Sequence, residues 1–289
     1  MDKLIGPDRS MNRTPIEQYD LSATLMSGQA FVWHLVDGWF VGGTLNRAVK
    51  MRQEDGNLIW QTYPQNDDWD WLSTYLRLDV DYQEIVNKIS LDENIRTAIS
   101  RFPDLRLLRQ DFEEALLSFL CSPMKSIVGI RQCILLMSEK FGEKVDVDGS
   151  SISLLPAIER LAEVDLQDLL TCKVGFRGRN IIEASKYLLK TGLSDQIQSM
   201  TENEARTELL KIRGVGDKVA DCVLVYGLGH DNVTPLDVWM WRVARDMYGH
   251  DESMRYDQIR RWFADYFDGY ASWAAQFLFE YIRTDRQYR

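Results

Sequence analysis

The chain has 289 residues, 45% of them hydrophobic and nine of them Trp, enough apolar volume for a sizeable core in one large domain or two. Its 34 basic and 44 acidic residues give a net charge of −10, which argues against a partner held by overall positive charge and leaves any nucleic-acid contact to a local face. There is no apolar run of membrane length, Met1–Arg9 is polar, the four cysteines (Cys121, Cys133, Cys172, Cys222) form no C-x-x-C pair and there are three histidines. These features argue against a membrane span, a secretory leader and a zinc, iron–sulfur or histidine-bound metal site, so a soluble intracellular monomer without cofactor is expected.

Residues 12–65 are strand-like. Phe31–Val36, the turn Asp37-Gly38 and Trp39–Gly43 read as a hairpin, with Ala48–Arg52 and Asn57–Tyr63 as further strands of an antiparallel sheet. From Asp68 the apolar period becomes helical. It predicts helices over Trp69–Arg77, Tyr82–Lys88, Glu93–Arg101, Phe112–Cys121, Lys125–Phe141, Ser153–Ile158, Asp165–Leu170, Gly178–Leu189, Glu202–Ile212, Lys218–Tyr226, Val238–Met247, Tyr256–Phe267 and Ser272–Arg283. The fold class is α+β, mostly α: an N-terminal antiparallel sheet domain with flanking helices over 1–100, then a helical domain over 101–289. Acidic residues crowd the early chain, whereas Lys173, Arg177, Arg179, Lys186, Arg206, Lys211, Arg213 and Lys218 come later, which predicts an acidic back and a modestly basic binding face.

The stretch Leu209–Asp246 carries the chemistry. A helix ending at Ile212, the turn Arg213-Gly214-Val215-Gly216 and a second helix from near Asp217 make a helix-hairpin-helix. The two glycines permit positive φ and bring backbone N–H groups, with a helix N-terminus, against an anion such as a DNA phosphate. Lys218 lies in the first turn of that helix, where the positive end of the dipole favours the neutral amine that Schiff-base chemistry needs. In Thr234-Pro235-Leu236-Asp237, Asp237 is placed to cap the helix that follows and to stabilise positive charge developing on a sugar. The hairpin alone would also suit a DNA-binding module without catalysis.

The pattern Leu210-x-x-x-Gly214-Val215-Gly216-x-Lys218-Val219-Ala220-Asp221, followed by Pro235-x-Asp237-x-x-x-x-Arg242, resembles the helix-hairpin-helix, Gly/Pro-Asp superfamily of DNA base-excision glycosylases. Within it, Lys218–Cys222 and Leu236–Trp241 are most similar to the 8-oxoguanine DNA glycosylase/lyase family. Weaker similarity runs from Ser27-Gly28-Gln29-Ala30-Phe31-x-Trp33 through Ser118-Phe119-x-Cys121-Ser122 and Gly175-Phe176-Arg177 to Trp273–Phe279.

The resemblance implies a bifunctional enzyme that flips 8-oxoguanine out of damaged double-stranded DNA, excises it and nicks by β-elimination. Lys218 would be the nucleophile and Asp237 the carboxylate beside the cationic sugar. Cys222 and Phe279 would sandwich the flipped base, and the Gly28 carbonyl would accept its N7–H. Gly214, Val215, Gly216, Met124, Phe176, Arg177 and Trp239 would lie against DNA. Three positions depart from the better-known eukaryotic members: Ala275 where they carry a base-reading glutamine, so that either Gln276 beside it binds the base through a register shift of one or another group reads that edge; Met124 for a gap-filling asparagine; and Gly129 for a cytosine-contacting arginine, while Arg177 keeps the other. This pattern resembles that of a bacterial or archaeal-type member and weakens the expectation of strict specificity for opposite cytosine. A glycosylase of the same superfamily acting on another damaged or mismatched base is the alternative.

Overall fold

Asp-Gly pairs turn three of the hairpins of this protein, described by a computed structural model over residues 11–64 and 67–285; the polar opening Met1–Arg9 lies outside the described residues. At Asp37-Gly38, Asp55-Gly56 and Asp148-Gly149 both residues of each pair take positive φ, the mirror-image turn whose twist suits antiparallel strands. Strands β1 (Asn12–Pro15), β2 (Trp33–Val36), β3 (Trp39–Gly43), β4 (Ala48–Glu54) and β5 (Asn57–Tyr63) form an antiparallel sheet in the order β1-β5-β4-β3-β2. Register sets Trp33 opposite Gly42, where a Cβ would come within 2.7 Å of the indole, so only glycine lets that ring lie on the sheet. The short helix α1 (Leu21–Met26), capped by Asp20, was not expected from periodicity, since six residues hold too few turns to show one.

Helices follow as the period predicts, with shifts of a residue or two at their ends: α2 (Trp69–Tyr75), α3 (Tyr82–Ile89), α4 (Glu93–Arg101), α5 (Phe112–Leu120) and α6 (Ile127–Phe141). The expected helix Ser153–Ile158 is a correction. Those residues begin with the end of a second hairpin, β6 (Lys144–Val147) and β7 (Ser150–Ser153), and helix α7 starts only at Ile158, running to Glu163. This hairpin docks on the first sheet, where Asp148 accepts from Lys50 Nζ (2.6 Å) and the Tyr63 hydroxyl (2.9 Å) and Val147 packs with Ala48, Tyr63 and Leu154. Beyond it come α8 (Leu166–Leu170), α9 (Arg177–Thr191), α10 (Leu193–Gln196) with a 3-10 turn, α11 (Glu202–Leu210), α12 (Asp217–Tyr226), α13 (Val238–Arg242), α14 (Tyr256–Tyr266) and α15 (Ala271–Thr284). The segment expected as one helix to Met247 changes to π-helical winding at Val243–Met247.

One apolar core runs from Ile16 to Ile282, and α15 closes it by packing on α3, α4 and α13. Into this core α5 carries Glu114, fully buried, whose carboxyl accepts from the Tyr75 hydroxyl (2.8 Å) and is pushed up to about 8 by desolvation. A carboxyl raised in the folded state binds a proton that the unfolded chain has released. The wild-type protein should therefore lose stability as pH rises from about 5 to 8, at up to about 1.4 kcal/mol per unit for this one group. Glu114→Gln should flatten that slope, read from urea unfolding at pH 5.5 and 8; an unchanged slope would mean that Glu114 is ionised in the fold.

Candidate active site

The start of α12 meets the end of α5, and the loop leading into α13 is tied back to α12 through Tyr256. On α12, Lys218, Cys222 and Tyr226 recur every four residues and so share a face. That face meets the end of α5, where Lys218 Nζ donates to Ser122 Oγ (3.2 Å) and lies 4.9 Å above the Phe119 ring. Phe119 in turn stacks on Tyr226, with centroids 5.3 Å apart and planes 16° off parallel. Lysine, two aromatic rings and a serine thus make one assembly. One turn into the helix, burial pushes the Cys222 thiol up to about 12, with Lys218 drawing it down, so at neutral pH it is an uncharged apolar wall.

Asp237 is the N-cap of α13: its Oδ1 accepts from the N–H groups of Trp239 (2.9 Å) and Met240 (3.0 Å). The loop carrying it is tied back to α12. Leu236 N–H donates to the Tyr256 oxygen (3.1 Å) and the Tyr256 hydroxyl donates to Asp221 (2.8 Å), whose carboxylate also accepts from Arg206 and Arg260 at 3.0 Å each. Burial pushes the Asp221 carboxyl above its ordinary range while the two guanidiniums pull it back. Because Asp221 is three residues after Lys218, this chain of bonds sets the spacing between the lysine-bearing helix and the aspartate-bearing loop.

The turn after α1 packs against α6 and α15. Gly28 has φ +86°, and a Cβ there would meet Ile127 at 2.6 Å and the Phe279 ring at 3.6 Å. Gly28 and Phe279, far apart in sequence, are therefore neighbours, with Ile127 at their side. Gln276, one turn before Phe279 on α15, is 3% exposed, and its Oε1 accepts from the Tyr226 hydroxyl at 2.8 Å. Ala275 is buried beside it.

The hairpin has Gly214 at φ +89°, where a Cβ would come within 2.5 Å of the Asn180 side chain; Gly216, at φ −104°, does not need the left-handed region expected of both glycines. A Cβ at Gly216 would meet nothing within 4 Å and no side chain caps α12, so the first N–H groups of that helix open outward. Val215 is buried beneath them. Met124 projects at 94% exposure from a residue with φ +55°, a backbone region costly for a side chain that is not Gly, Asn or Asp. Phe176, at 63%, also projects. Arg177 is buried beneath Phe176, donating from Nη2 to the Pro123 carbonyl and from Nη1 to that of Val174 (3.2 Å), so in the free chain it braces the Met124 turn. Trp239 lies under the Arg242 guanidinium at 4.7 Å. Several cations expected to make a basic face are paired instead: Arg206 with Asp217 and Asp221, Lys211 with Glu208, Lys186 with Glu183.

Reading by residue type missed Ser122, Phe119, Ile127, Tyr226 and Tyr256. A signal exists for Tyr226, which continues the four-residue spacing of Lys218 and Cys222, and a weaker one for Phe119 and Ser122, which lie in a segment of family similarity; for Ile127 and Tyr256 the partners are remote in the chain.

A helical domain whose hairpin opens its N–H groups outward beside Lys218 and Asp237 is the architecture of base-excision DNA glycosylases, and residues 133–268 match the family described as HhH-GPD superfamily base excision DNA repair protein. Residues 12–116 match 8-oxoguanine DNA glycosylase, N-terminal domain. The chain belongs to the 8-oxoguanine DNA glycosylase/lyase family of that superfamily. A probable N-glycosylase/DNA lyase of Methanothermobacter thermautotrophicus is 28% identical over 82% of this chain and 85% of its own, and N-glycosylase/DNA lyase OGG1 of Arabidopsis thaliana is 25% identical over 90% and 76%. Among solved structures, the 8-oxoguanine glycosylase/lyase of Clostridium acetobutylicum, bound to double-stranded DNA with cytosine opposite 8-oxoguanine, superposes with a TM-score of 0.86 at 27% identity over 95% of this chain and 98% of that one. A 3-methyladenine DNA glycosylase from Archaeoglobus fulgidus, with a TM-score of 0.80 at 20% identity over 95% and 99%, shares the fold. Among the described residues no helix is long and apolar enough to cross a membrane.

Proposed function

We propose that this chain is a bifunctional DNA glycosylase and abasic-site lyase that excises 8-oxoguanine from duplex DNA. The observation that carries the reading is Lys218 held by Ser122 above Phe119, on the helix whose open N-terminus faces outward, with the Asp237 cap on the loop tied to the same helix. A base inside a stack is out of an amine's reach, so the nucleotide is first extruded, at a cost of a few kcal/mol. Met124 and Phe176, the exposed apolar residues flanking Arg177, fill the gap; the hairpin N–H groups hold a phosphate. The Gly28 carbonyl accepts N7–H, which the oxidised base has and guanine lacks, between the Cys222 and Phe279 walls.

The Lys218 amine then bonds to C1′ as the C1′–N9 bond breaks. The base leaves with the electron pair and takes up a proton, and Asp237 stabilises the positive charge on the sugar. Opening of the sugar ring and loss of the amine proton leave an imine. Removal of a C2′ proton expels the 3′ phosphate and nicks the strand. Borohydride, which reduces the imine to a stable amine, tests this directly: the protein should be trapped on duplexes carrying 8-oxoguanine and not on those carrying uracil, alkylated purine or undamaged guanine. Trapping on one of the others alone would assign another lesion.

Opposite-base selectivity should be modest. Each good polar contact to a base edge contributes about 1–3 kcal/mol of discrimination, and here Met124 offers none and Gly129 has no side chain, which leaves Arg177 as the one matched reader. Excision opposite cytosine should exceed that opposite adenine by roughly tens-fold at most, the yield of about one contact. Single-turnover rates on four duplexes differing only in the opposite base measure it; a preference beyond about a thousandfold would require a second reader.

A further inference from the structure

Gln276 Nε2 is buried and has no hydrogen-bond partner in the free chain. An unpaired amide NH2 in a protein interior costs on the order of 1–3 kcal/mol, so its retention calls for an acceptor that arrives later. The other end of the same amide is not free: Oε1 accepts from the Tyr226 hydroxyl at 2.8 Å. Burial holds the Tyr226 phenol well above its ordinary pKa, so it keeps its proton and is the donor in this bond. The bond fixes which way the amide faces.

The place of this pair in the site is set by its helices. Tyr226 follows Lys218 and Cys222 on the catalytic face of α12 and stacks on Phe119 beneath the Lys218 amine. Gln276 precedes Phe279 by one turn of α15, and Phe279 borders Gly28. The contact between them is therefore where the two walls of the base pocket join.

We infer that Tyr226 and Gln276 together read the C6–N1 edge of the extruded purine, Tyr226 acting as the positioning residue that presents the Gln276 amide as a donor. This deepens the glycosylase reading above and rests on it. With Oε1 held, Nε2 offers N–H to a carbonyl oxygen at C6, and the Tyr226 oxygen, its proton already donated, can accept an N1–H. That donor-then-acceptor order complements a 6-oxopurine and opposes a 6-aminopurine, whose C6 group donates and whose N1 accepts. Nothing at Gly28 makes this distinction, because 8-oxoguanine and 8-oxoadenine both carry N7–H. Tyr226 thereby performs a selection that Ala275, with only a methyl group, cannot.

The test compares single-turnover excision of 8-oxoguanine and 8-oxoadenine from otherwise identical duplexes. Both lesions use Lys218 and Asp237, so a general loss of activity cancels in the ratio of the two rates. Wild-type protein should favour 8-oxoguanine by roughly ten- to hundredfold, the yield of one reversed polar contact. Tyr226→Phe, which removes only the hydroxyl and lets the amide turn over, should lower the ratio by about tenfold, chiefly by raising the 8-oxoadenine rate. Gln276→Leu, of similar volume and without polar atoms, should lower it by slowing 8-oxoguanine, and it keeps the test open should the first variant fail to fold. A ratio near one in wild type, or one unchanged in a folded variant, overturns the inference while leaving the glycosylase reading intact. Absence of any 8-oxoguanine excision by wild type would remove both.

Discussion

Lys218→Gln is expected to abolish the borohydride-trapped adduct while the protein still binds duplex containing 8-oxoguanine. The two effects separate because they use different atoms. Glutamine has no amine to form an imine, yet its amide is long enough to keep a donor at Ser122, and the hairpin grips phosphate through the backbone N–H groups at the open start of α12. Trapping should fall to background on gel electrophoresis, and base release should fall with it by orders of magnitude, because nucleophile and leaving group act in one step. Binding, followed by fluorescence anisotropy, should change by less than about tenfold, since the lost amine is one contact among many. Trapping that survives in a folded variant would place the nucleophile on another amine.

Asp237→Asn is expected to slow base release by roughly 10²–10³-fold, the scale for removing one preorganised electrostatic partner from a water-poor site. Asparagine is about as good a helix cap as aspartate, and its single carbonyl oxygen can take over both bonds that Oδ1 now accepts, from Trp239 and Met240. The variant should therefore melt within a few degrees of the wild type, which removes misfolding as an explanation of a slow rate. Single-turnover base release and thermal unfolding on the same preparation make the comparison. An unchanged rate in a folded variant would mean that the charge of Asp237 is not used in the chemistry.

Much of this protein is legible in its sequence. The hairpin at Asp37-Gly38 carries its own turn chemistry, and the long helices show their period, because both signals are local. The hairpin of β6 and β7 is not legible there, although Asp148-Gly149 is the same kind of turn. Its strands are short and weakly alternating, and what holds them is remote: Lys50 and Tyr63 on the first sheet bond to Asp148. The basic face is weaker than the sequence suggests for a related reason. Arg206 looks free in sequence, but folding brings Asp217 and Asp221 of the next helix against it.

The site divides along the same line. The sequence by itself determined the hairpin, the helix start that bears Lys218, the four-residue spacing to Cys222 and the cap at Asp237, since each depends on neighbours within a turn or two of chain. Only the tertiary structure decided that Ser122 and Phe119 support the lysine, that Gly28 borders Phe279, that Arg177 braces the Met124 turn and that Tyr226 turns the amide of Gln276. These contacts join residues dozens to hundreds of positions apart. A hydrogen bond or ring contact has a range of a few ångströms, and which distant residues come within it is settled by how the helices pack.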